Sequence, residues 1–222
     1  MVYLSSMPIT RHGIPQLILF GSWLAMLAGL LWLVQPWLVA IPGLLFAFLL
    51  SFFRDPERAV PGGPEVAVAP ADGIMVDIGE VDEPYFFKGK ALRIGIYLSV
   101  FNVHVNRAPL DGKLVFRHYK PGKFLDVRDP SCEKENEANL LGFEGPNGRF
   151  AVRQIAGLIA RTIVSPTELD EQVERGQRMG MIKFGSRTEL LLPPDADVTI
   201  EAKIGDTMRG ASSVLLRYNK SS

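Results

Sequence analysis

The segment Arg178–Pro193 reads RMGMIKFGSRTELLLP, and it divides into two apolar halves around a Gly-Ser pair. Short apolar runs such as MGMI and ELLL are typical of buried β-strands. Gly185 permits a backbone conformation that other residues resist, so the pair marks a sharp bend. The segment therefore predicts two strands joined by a bend that carries Ser186.

The rest of the chain after Phe53 is also rich in strand signals. The stretch RDPERAVPGGPEVAVAPADG is dense in proline and glycine, which favours an extended linker. Apolar runs with many β-branched residues follow it: ALRIGIYLSV, FNVHVNRAP, KLVFRHYKPG and FAVRQIAGLIARTIV. One helix is predicted over SPTELDEQVERG, with Ser165 or Thr167 as its cap and Gly176 as its stop. The predicted fold class is α+β and mostly β.

Two segments near the C-terminus predict tight hairpins between short strands, each turning at a glycine. They are ERGQRMG (Glu174–Gly180) and KIGDTMRG (Lys203–Gly210). The turns resemble those of barrel-sandwich domains that carry lipoyl or biotinyl groups, although no lysine stands at a matching tip. A barrel-sandwich-like β domain is therefore the expected architecture.

From Ile14 to Phe53 the sequence is almost wholly apolar, and Arg11 is the only formally charged side chain among the first 53 residues. Gln35 and Pro36 divide them into Gln16–Val34 and Trp37–Phe53, which would be roughly 28 and 25 Å long as helices. Each length is near the lower limit for crossing a hydrocarbon core of roughly 30 Å. Residues 1–53 are expected to form a two-helix membrane hairpin, either spanning or re-entrant.

Both flanks of this hairpin carry positive charge, Arg11 before it and Arg54 and Arg58 after it. The positive-inside rule places such flanks on the cytoplasmic face of the cell membrane. A cleaved signal peptide is the competing interpretation, but its apolar core would be far shorter. Residues 54–222 are then expected to form a second domain.

Composition excludes several kinds of partner and site. The 24 basic and 24 acidic residues cancel, and without a basic excess no nucleic-acid partner is expected. The single cysteine, Cys132, excludes an internal disulfide and fits a reducing compartment. Histidine, cysteine and glutamate show no metal-ligand spacing, so no metal is expected.

The Gly-Ser pair has one chemistry open to it besides an inert turn. The Ser186 hydroxyl can attack the carbonyl of Gly185 and replace the peptide bond by an ester. Elimination across the serine then leaves a dehydroalanine, which hydrolyses to a pyruvoyl group. Taken singly, Asp72 in APADG reads as a turn residue, and His104 reads as a structural strand histidine.

Six segments in order resemble the short, bacterial-type phosphatidylserine decarboxylases. They are FFRDPER, PADG, YLSVFNVHVNRAP, NE at 136–137, QIAGLIARTIV and RMGMIKFGSRTELLLP. The resemblance covers the chain from about Phe52 onward, and the preceding apolar hairpin is also typical of that family.

This resemblance implies cleavage between Gly185 and Ser186 into a β chain of residues 1–185 and an α chain of residues 186–222. The α chain would begin with a covalent pyruvoyl group made from Ser186, so neither pyridoxal phosphate nor a metal is needed. A Schiff base between that group and phosphatidylserine would let CO₂ leave, as with other electron-sink cofactors. The product would be phosphatidylethanolamine.

The same resemblance implies supporting roles for two more residues, Asp72 and His104. Longer members have an aspartate at the position of Asp72 and a histidine at that of His104, which support the serine in self-cleavage. They also have a second histidine where this sequence has Arg107. His104 either assists both cleavage and decarboxylation, or Asp72 acts through another residue. Arg107 is expected to bind the substrate carboxylate or phosphate.

Two alternatives stay open at this point. A related ether lipid that bears serine would suit the same chemistry. A protein of another class, a non-catalytic membrane-tethered β-barrel adaptor, would keep Ser186 as an uncut serine. The resemblance also allows a homo-oligomer.

Overall fold

The computed structural model describes residues 8–127, 132–157, 162–183 and 186–219. The chain divides into two compact units, Met1–Glu57 and Arg58–Ser222. The first unit is helical where it is described, and the second is built mainly of strands. The prediction of a mostly β protein with α-helices is confirmed in this form.

The first unit contains two apolar helices, α1 (Ile14–Val34) and α2 (Ala40–Phe52). Between them lies a 3-10 turn, Pro36–Val39. α1 ends where Gln35 adopts an extended conformation, as expected for a residue that precedes a proline. Backbone atoms close the unit, since the amide of Thr10 donates to the carbonyl of Phe53 at 2.9 Å.

The large apolar side chains of α1 are exposed around the helix, including Trp23, Leu30 and Leu33. A helix that is apolar on every side belongs in a large protein core or in lipid. Among the described residues, Arg11–Val34 is long and apolar enough to cross a membrane, while the apolar segment Pro36–Phe52 is shorter. The first unit therefore carries one segment that suits a membrane.

The second unit contains the strands that position the candidate site. Those of the described residues are β1 (Val66–Val68), β2 (Gly73–Glu83), β3 (Gly89–Leu98), β4 (Val105–Arg107), β5 (Gly112–Lys120), β6 (Ala138–Gly145), β7 (Gly148–Ala156), β8 (Ile163–Val164), β9 (Gln172–Val173), β10 (Arg178–Ile182), β11 (Ser186–Leu192), β12 (Val198–Ile200), β13 (Thr207–Met208) and β14 (Val214–Tyr218). A one-turn helix, α3 (Cys132–Glu135), precedes β6, and Cys132 is a buried free thiol.

Antiparallel pairing joins these strands into one large sheet and two small ones within the described residues. The eight-stranded sheet has the order β13-β2-β3-β11-β7-β6-β5-β9. The small sheets have the orders β1-β14-β12 and β4-β10-β8. β11 thus lies inside the large sheet and is buried along its whole length, including the charged residues Arg187 and Glu189 as well as the apolar Leu190–Leu192.

The two predicted glycine turns are present, but the predicted hairpins are wrong, because β9 pairs with β5 and β10 with β4 and β8, while β12 pairs with β14 and β13 with β2. Gly176 has φ +82° and Gly205 has φ +95°, a conformation that a side chain would oppose. Their amides donate to the carbonyls of Ala108 and Met75, respectively, at 2.8 Å. The barrel-sandwich-like arrangement inferred from these turns stays a prediction.

The helix predicted over Ser165–Gly176 is wrong. Residues 165–168 have no regular structure, and Gln172–Val173 form β9 beside β5. Val173 is buried in the main apolar core, and the Thr167 hydroxyl donates to the Met179 carbonyl at 3.3 Å rather than capping a helix. Burial of Val173 and strand pairing outweighed the local helix signal.

Candidate active site

Ser186 is the first residue of β11 and is held on both sides by neighbouring strands. It opposes Leu98 of β3 and Ala156 of β7. Two strands flank this segment as predicted, but Ser186 belongs to the second strand rather than to the bend, while Phe184 and the predicted cleavage residue Gly185 lie outside the described residues. The backbone of Ser186 is therefore fixed by the sheet.

The side chain of Ser186 is fully buried. Among the described residues, no group forms a hydrogen bond with its Oγ. Burying a hydroxyl without a partner costs about 1–3 kcal/mol, so such an atom in a folded protein calls for a functional explanation. A buried hydroxyl with no hydrogen-bond partner in the described part of the chain suits a nucleophile.

A chain of buried polar side chains lies beside Ser186 on the same face of the large sheet. Asn139 donates to Gln154 Oε1 at 3.0 Å, Gln154 donates to Asn106 Oδ1 at 2.8 Å, and Asn106 donates to Thr188 Oγ1 at 3.1 Å. Thr188 shares the Ser186 face because alternate strand residues point the same way. The chain ties β6, β7, β4 and β11 together.

Sequence reasoning missed this polar chain. Asn106 lies in FNVHVNRAP and Thr188 in RMGMIKFGSRTELLLP, but neither residue has a sequence pattern that indicates a ligand or a catalytic group. Gly180 makes the arrangement possible, because a Cβ there would lie 3.0 Å from Gln154 Nε2. The missing side chain of Gly180 leaves room for the buried amide of Gln154.

His104 lies directly before β4 and is fully buried. Its Nδ1 is 2.9 Å from the carbonyl oxygen of Asn102. A carbonyl oxygen can only accept, so Nδ1 carries the proton, and Nε2 of the neutral ring is the acceptor. The Asn102 side chain in turn accepts from the amide and hydroxyl of Ser99 at 2.8 and 2.7 Å, which fixes the loop.

The strands that carry His104 and Ser186 are tied together near these two residues. Asn106 and Thr188 hydrogen-bond to each other, and His104 and Ser186 each lie two positions earlier in the chain, His104 just before β4 and Ser186 at the start of β11. The amide of Ile182, at the end of β10, donates to the carbonyl of His104 at 3.3 Å. The segment that leads to the predicted cleavage site thus passes beside His104.

Asp72 lies directly before β2, at the same end of the large sheet as Ser186. Ile74 of β2 opposes Tyr97, and Tyr97 is opposed on its other side by Arg187 of β11. Two strand spacings of about 4.8 Å put the backbones of Asp72 and Ser186 about 10 Å apart. The two residues flank the end of β3.

Among the described residues, the partners of the Asp72 carboxylate are Arg58 and the backbone of Gly210. Arg58 Nη2 is 2.8 Å from Oδ2, and the amide of Gly210 donates to Oδ1 at 2.8 Å. In the sequence, Arg58 stands out only for its charge at the membrane flank. Nothing in the sequence indicates that it contacts Asp72.

Arg107 is the last residue of β4 and is buried. Its Nη1 donates to the carbonyl of Gly176 at 3.3 Å, and its backbone amide donates to the carbonyl of Pro70 at 2.9 Å. The second contact places Arg107 beside the PADG segment. Its expected contact with substrate stays a prediction.

The opposite face of β11 carries charged side chains that also hold the strand. Arg187 Nη2 lies 2.9 Å from Asp77 Oδ2, and Arg187 Nε lies 2.8 Å from Glu189 Oε1. Arg153 of β7 donates through Nε to Glu189 Oε2 at 2.6 Å. These ion pairs lock the strand that begins at Ser186 against β2 and β7.

Two further observations concern a lysine near Ser186 and possible metal ligands. Burial lowers the pKa of the Lys183 ammonium group, three positions before Ser186. Over the described ranges, histidine, cysteine, aspartate and glutamate form no group of three or more that could hold a metal ion.

Comparison with known proteins points to one family. The family described as phosphatidylserine decarboxylase matches residues 45–216. The phosphatidylserine decarboxylase proenzyme of Rhodopirellula baltica is 43% identical over 222 residues, covering 97% of this chain and 90% of that protein. Those of Carboxydothermus hydrogenoformans and Trichlorobacter lovleyi are 40% and 42% identical over 201 and 214 residues. These alignments cover 89% and 94% of this chain, and 94% and 96% of the relatives.

Proposed function

The chain belongs to the phosphatidylserine decarboxylase family, and on that premise we propose that it converts phosphatidylserine to phosphatidylethanolamine and CO₂ with a pyruvoyl group made from its own Ser186. It is an enzyme, a carboxy-lyase of phospholipid biosynthesis. The observation that carries the assignment to Ser186 is its buried Oγ, which has no hydrogen-bond partner among the described residues. The proenzyme name of the relatives supports a precursor that is processed.

The proposed self-cleavage begins when Ser186 Oγ attacks the carbonyl carbon of Gly185. The Gly185–Ser186 peptide bond breaks, the nitrogen gains a proton, and an ester joins the two residues. Removal of the Cα proton of residue 186 then expels the Gly185 carboxylate and leaves a dehydroalanine. Water adds to its imine form and ammonia leaves, which yields the pyruvoyl group, a β chain of residues 1–185 and an α chain of residues 186–222.

His104 is the proposed proton acceptor for the attacking hydroxyl. Its Nδ1 donates to the carbonyl of Asn102, so the neutral ring accepts a proton through Nε2. The role needs a ring held in one tautomer, as in other serine nucleophiles activated by a base. Asp72 is the second proposed participant, since it flanks the same end of β3 as Ser186.

The residues around Ser186 fit a pyruvoyl group. The position is buried, and the small residue Ala156 opposes it on β7. When present, the pyruvoyl carbonyl supplies an electron sink for the electrons that CO₂ leaves on the substrate carbon. Burial disfavours the charged carboxylate more than the charge-dispersed transition state. His104 returns a proton to the substrate carbon, and Arg107 binds the carboxylate or phosphate of the lipid.

The proposed location is the cytoplasmic face of the cell membrane. Residues 1–53 form a membrane hairpin in this proposal, and residues 54–222 form the catalytic domain. The long apolar segment Arg11–Val34 supports membrane association. The positive flanks Arg11, Arg54 and Arg58 support the cytoplasmic side.

Release of CO₂ from phosphatidylserine tests the proposed activity. Detergent-solubilised protein should release CO₂ and form phosphatidylethanolamine without added pyridoxal phosphate, and the Ser186→Ala variant should release none. Cleaved protein that leaves phosphatidylserine unchanged would contradict the substrate and direct attention to a serine-bearing ether lipid. Protein that stays uncut would favour a non-catalytic adaptor.

A further inference from the structure

The second unit contains an ion pair between Arg58 and the candidate site residue Asp72. Arg58 Nη2 lies 2.8 Å from Asp72 Oδ2, and the two side chains are only 15% and 12% exposed. Exposed ion pairs contribute little because water screens them. The Arg58–Asp72 pair is largely shielded from water. Its electrostatic attraction is therefore stronger than that of an exposed pair, and it holds the Asp72 side chain more firmly.

The Asp72 carboxylate is held at both oxygens. Arg58 donates to Oδ2 at 2.8 Å, and the amide of Gly210 donates to Oδ1 at 2.8 Å. Donors on two different oxygens fix the plane of the carboxylate. Each oxygen keeps a second lone pair, so Asp72 still has the capacity to accept from a third donor.

The backbone around Asp72 is fixed as well. The amide of Arg107 donates to the carbonyl of Pro70, and the amide of Ala211 donates to the carbonyl of Ala69, both at 2.9 Å. These bonds attach the PADG segment to β4 on one side and to the 210–211 turn on the other. These bonds fix the backbone around Asp72. The orientation of its side chain then depends on the two donors to its carboxylate, Arg58 and the amide of Gly210.

Arg58 is itself anchored, although it lies in a proline-rich and glycine-rich segment. The Ser212 hydroxyl donates to the carbonyl of Ala59, the next residue, at 3.0 Å. The guanidinium of Arg175 donates to the carbonyls of Gly62 and Val66 at 2.9 and 2.8 Å. The segment that begins at Arg58 is thus tied to the body of the second unit.

We propose that Arg58 is a positioning residue for self-cleavage: it holds the carboxylate of Asp72 in the orientation that cleavage requires. This inference rests on the proposed function, because it assumes that Asp72 takes part in cleavage at Ser186. Arg58 acts through Asp72 and touches neither the serine nor the substrate. An error of about 1 Å in a reacting group can cost about 100-fold in rate. Loss of Arg58 should therefore slow cleavage strongly without changing the nucleophile.

A mutant cycle on cleavage rate tests the proposal. Full-length Arg58→Gln, Asp72→Asn, their double variant and Arg58→Lys are synthesised by cell-free translation, and uncut chain is followed by gel electrophoresis. Arg58→Gln should slow cleavage by about 10- to 100-fold. Arg58→Lys should recover most of the rate, because one contact from Nη2 can be replaced by an ammonium group. The double variant should be no slower than Asp72→Asn, because the two residues act as a unit.

The control is Arg217→Gln, which breaks an exposed pair with Glu201 and should cleave at the wild-type rate. Arg58→Gln cleaving as fast as wild type would overturn the proposal. A double variant whose delay is the product of the two single delays would also overturn it, since that pattern indicates independent effects such as loss of folding. A wild-type chain that is not cut at Ser186 would instead overturn the proposed function.

Discussion

Asn106 Nδ2 donates a hydrogen bond to Thr188 Oγ1 at 3.1 Å, and this contact joins the strand that follows His104 to the strand that begins at Ser186. Both side chains are buried, so the bond is shielded from water. The two candidate catalytic residues lie two positions before this pair, so the bond restrains the chain segments that carry them.

Thr188→Val should therefore weaken both stability and cleavage. Valine has nearly the shape of threonine but cannot accept, so Asn106 loses its acceptor, at a cost of about 1–3 kcal/mol in the free energy of unfolding. Chemical denaturation and the rate of uncut-chain loss measure the two effects. Thr199→Val removes an exposed hydroxyl bonded to Asn219 and should change neither. Wild-type cleavage in Thr188→Val would contradict a positioning role for the bond.

Replacing His104 should separate its two proposed roles. His104→Ala should slow cleavage by about 10²–10⁴-fold, the usual range for loss of a general base. Any chain that does become cut should also show a reduced rate of CO₂ release. His118→Ala is the matched control, because His118 stacks on Tyr85 with ring centroids 3.9 Å apart and has no proposed catalytic role. Normal cleavage in His104→Ala would assign the proton transfer to a different group.

Arg107→Lys should weaken substrate binding more than cleavage. Lysine keeps the positive charge but loses the fork of donors that matches a carboxylate or phosphate. The expected result is a KM for phosphatidylserine raised by about tenfold, with cleavage complete and kcat changed less. Steady-state kinetics on mixed micelles gives both values. An unchanged KM would leave Arg107 with only its structural contact to Gly176.

The raised pKa of the Tyr218 phenol predicts that the free energy of unfolding falls at high pH. Burial raises the pKa of its phenol to about 12 from the ordinary value of 10.0. The unfolded chain therefore loses this proton first, and the stabilisation present below pH 10.0 is lost as pH rises toward about 12. Tyr218→Phe should lack this part of the alkaline decline when unfolding is compared with wild type between those pH values. Identical curves would contradict the burial effect.

Much of the fold followed from local pattern, while the contacts of the site did not. Hydropathy predicted the two apolar helices, and apolar runs predicted β3, β5, β10 and β11, although Ser186 was placed in a bend and is the first residue of β11. The helix predicted over Ser165–Gly176 was wrong, because pairing of Val173 with β5 is a tertiary effect. Local pattern carries no information on such pairing.

The partners of the candidate residues are distant in sequence, which explains why they were missed. Asn106 and Thr188 are 82 positions apart, and Arg58 and Asp72 are 14 apart. Helix and strand periods report only on near neighbours. The family resemblance predicted the roles of Ser186, Asp72 and His104. Only the folded structure shows which residues they contact.

The mass of the purified chain tests the central claim most directly. Intact mass spectrometry should find two chains, one ending at Gly185 and one of 37 residues whose blocked N-terminus is a pyruvoyl group in place of Ser186. Ser186→Ala should give one chain of 222 residues. A single uncut chain in the wild-type protein, or a smaller chain that begins with an unmodified serine, would contradict the account.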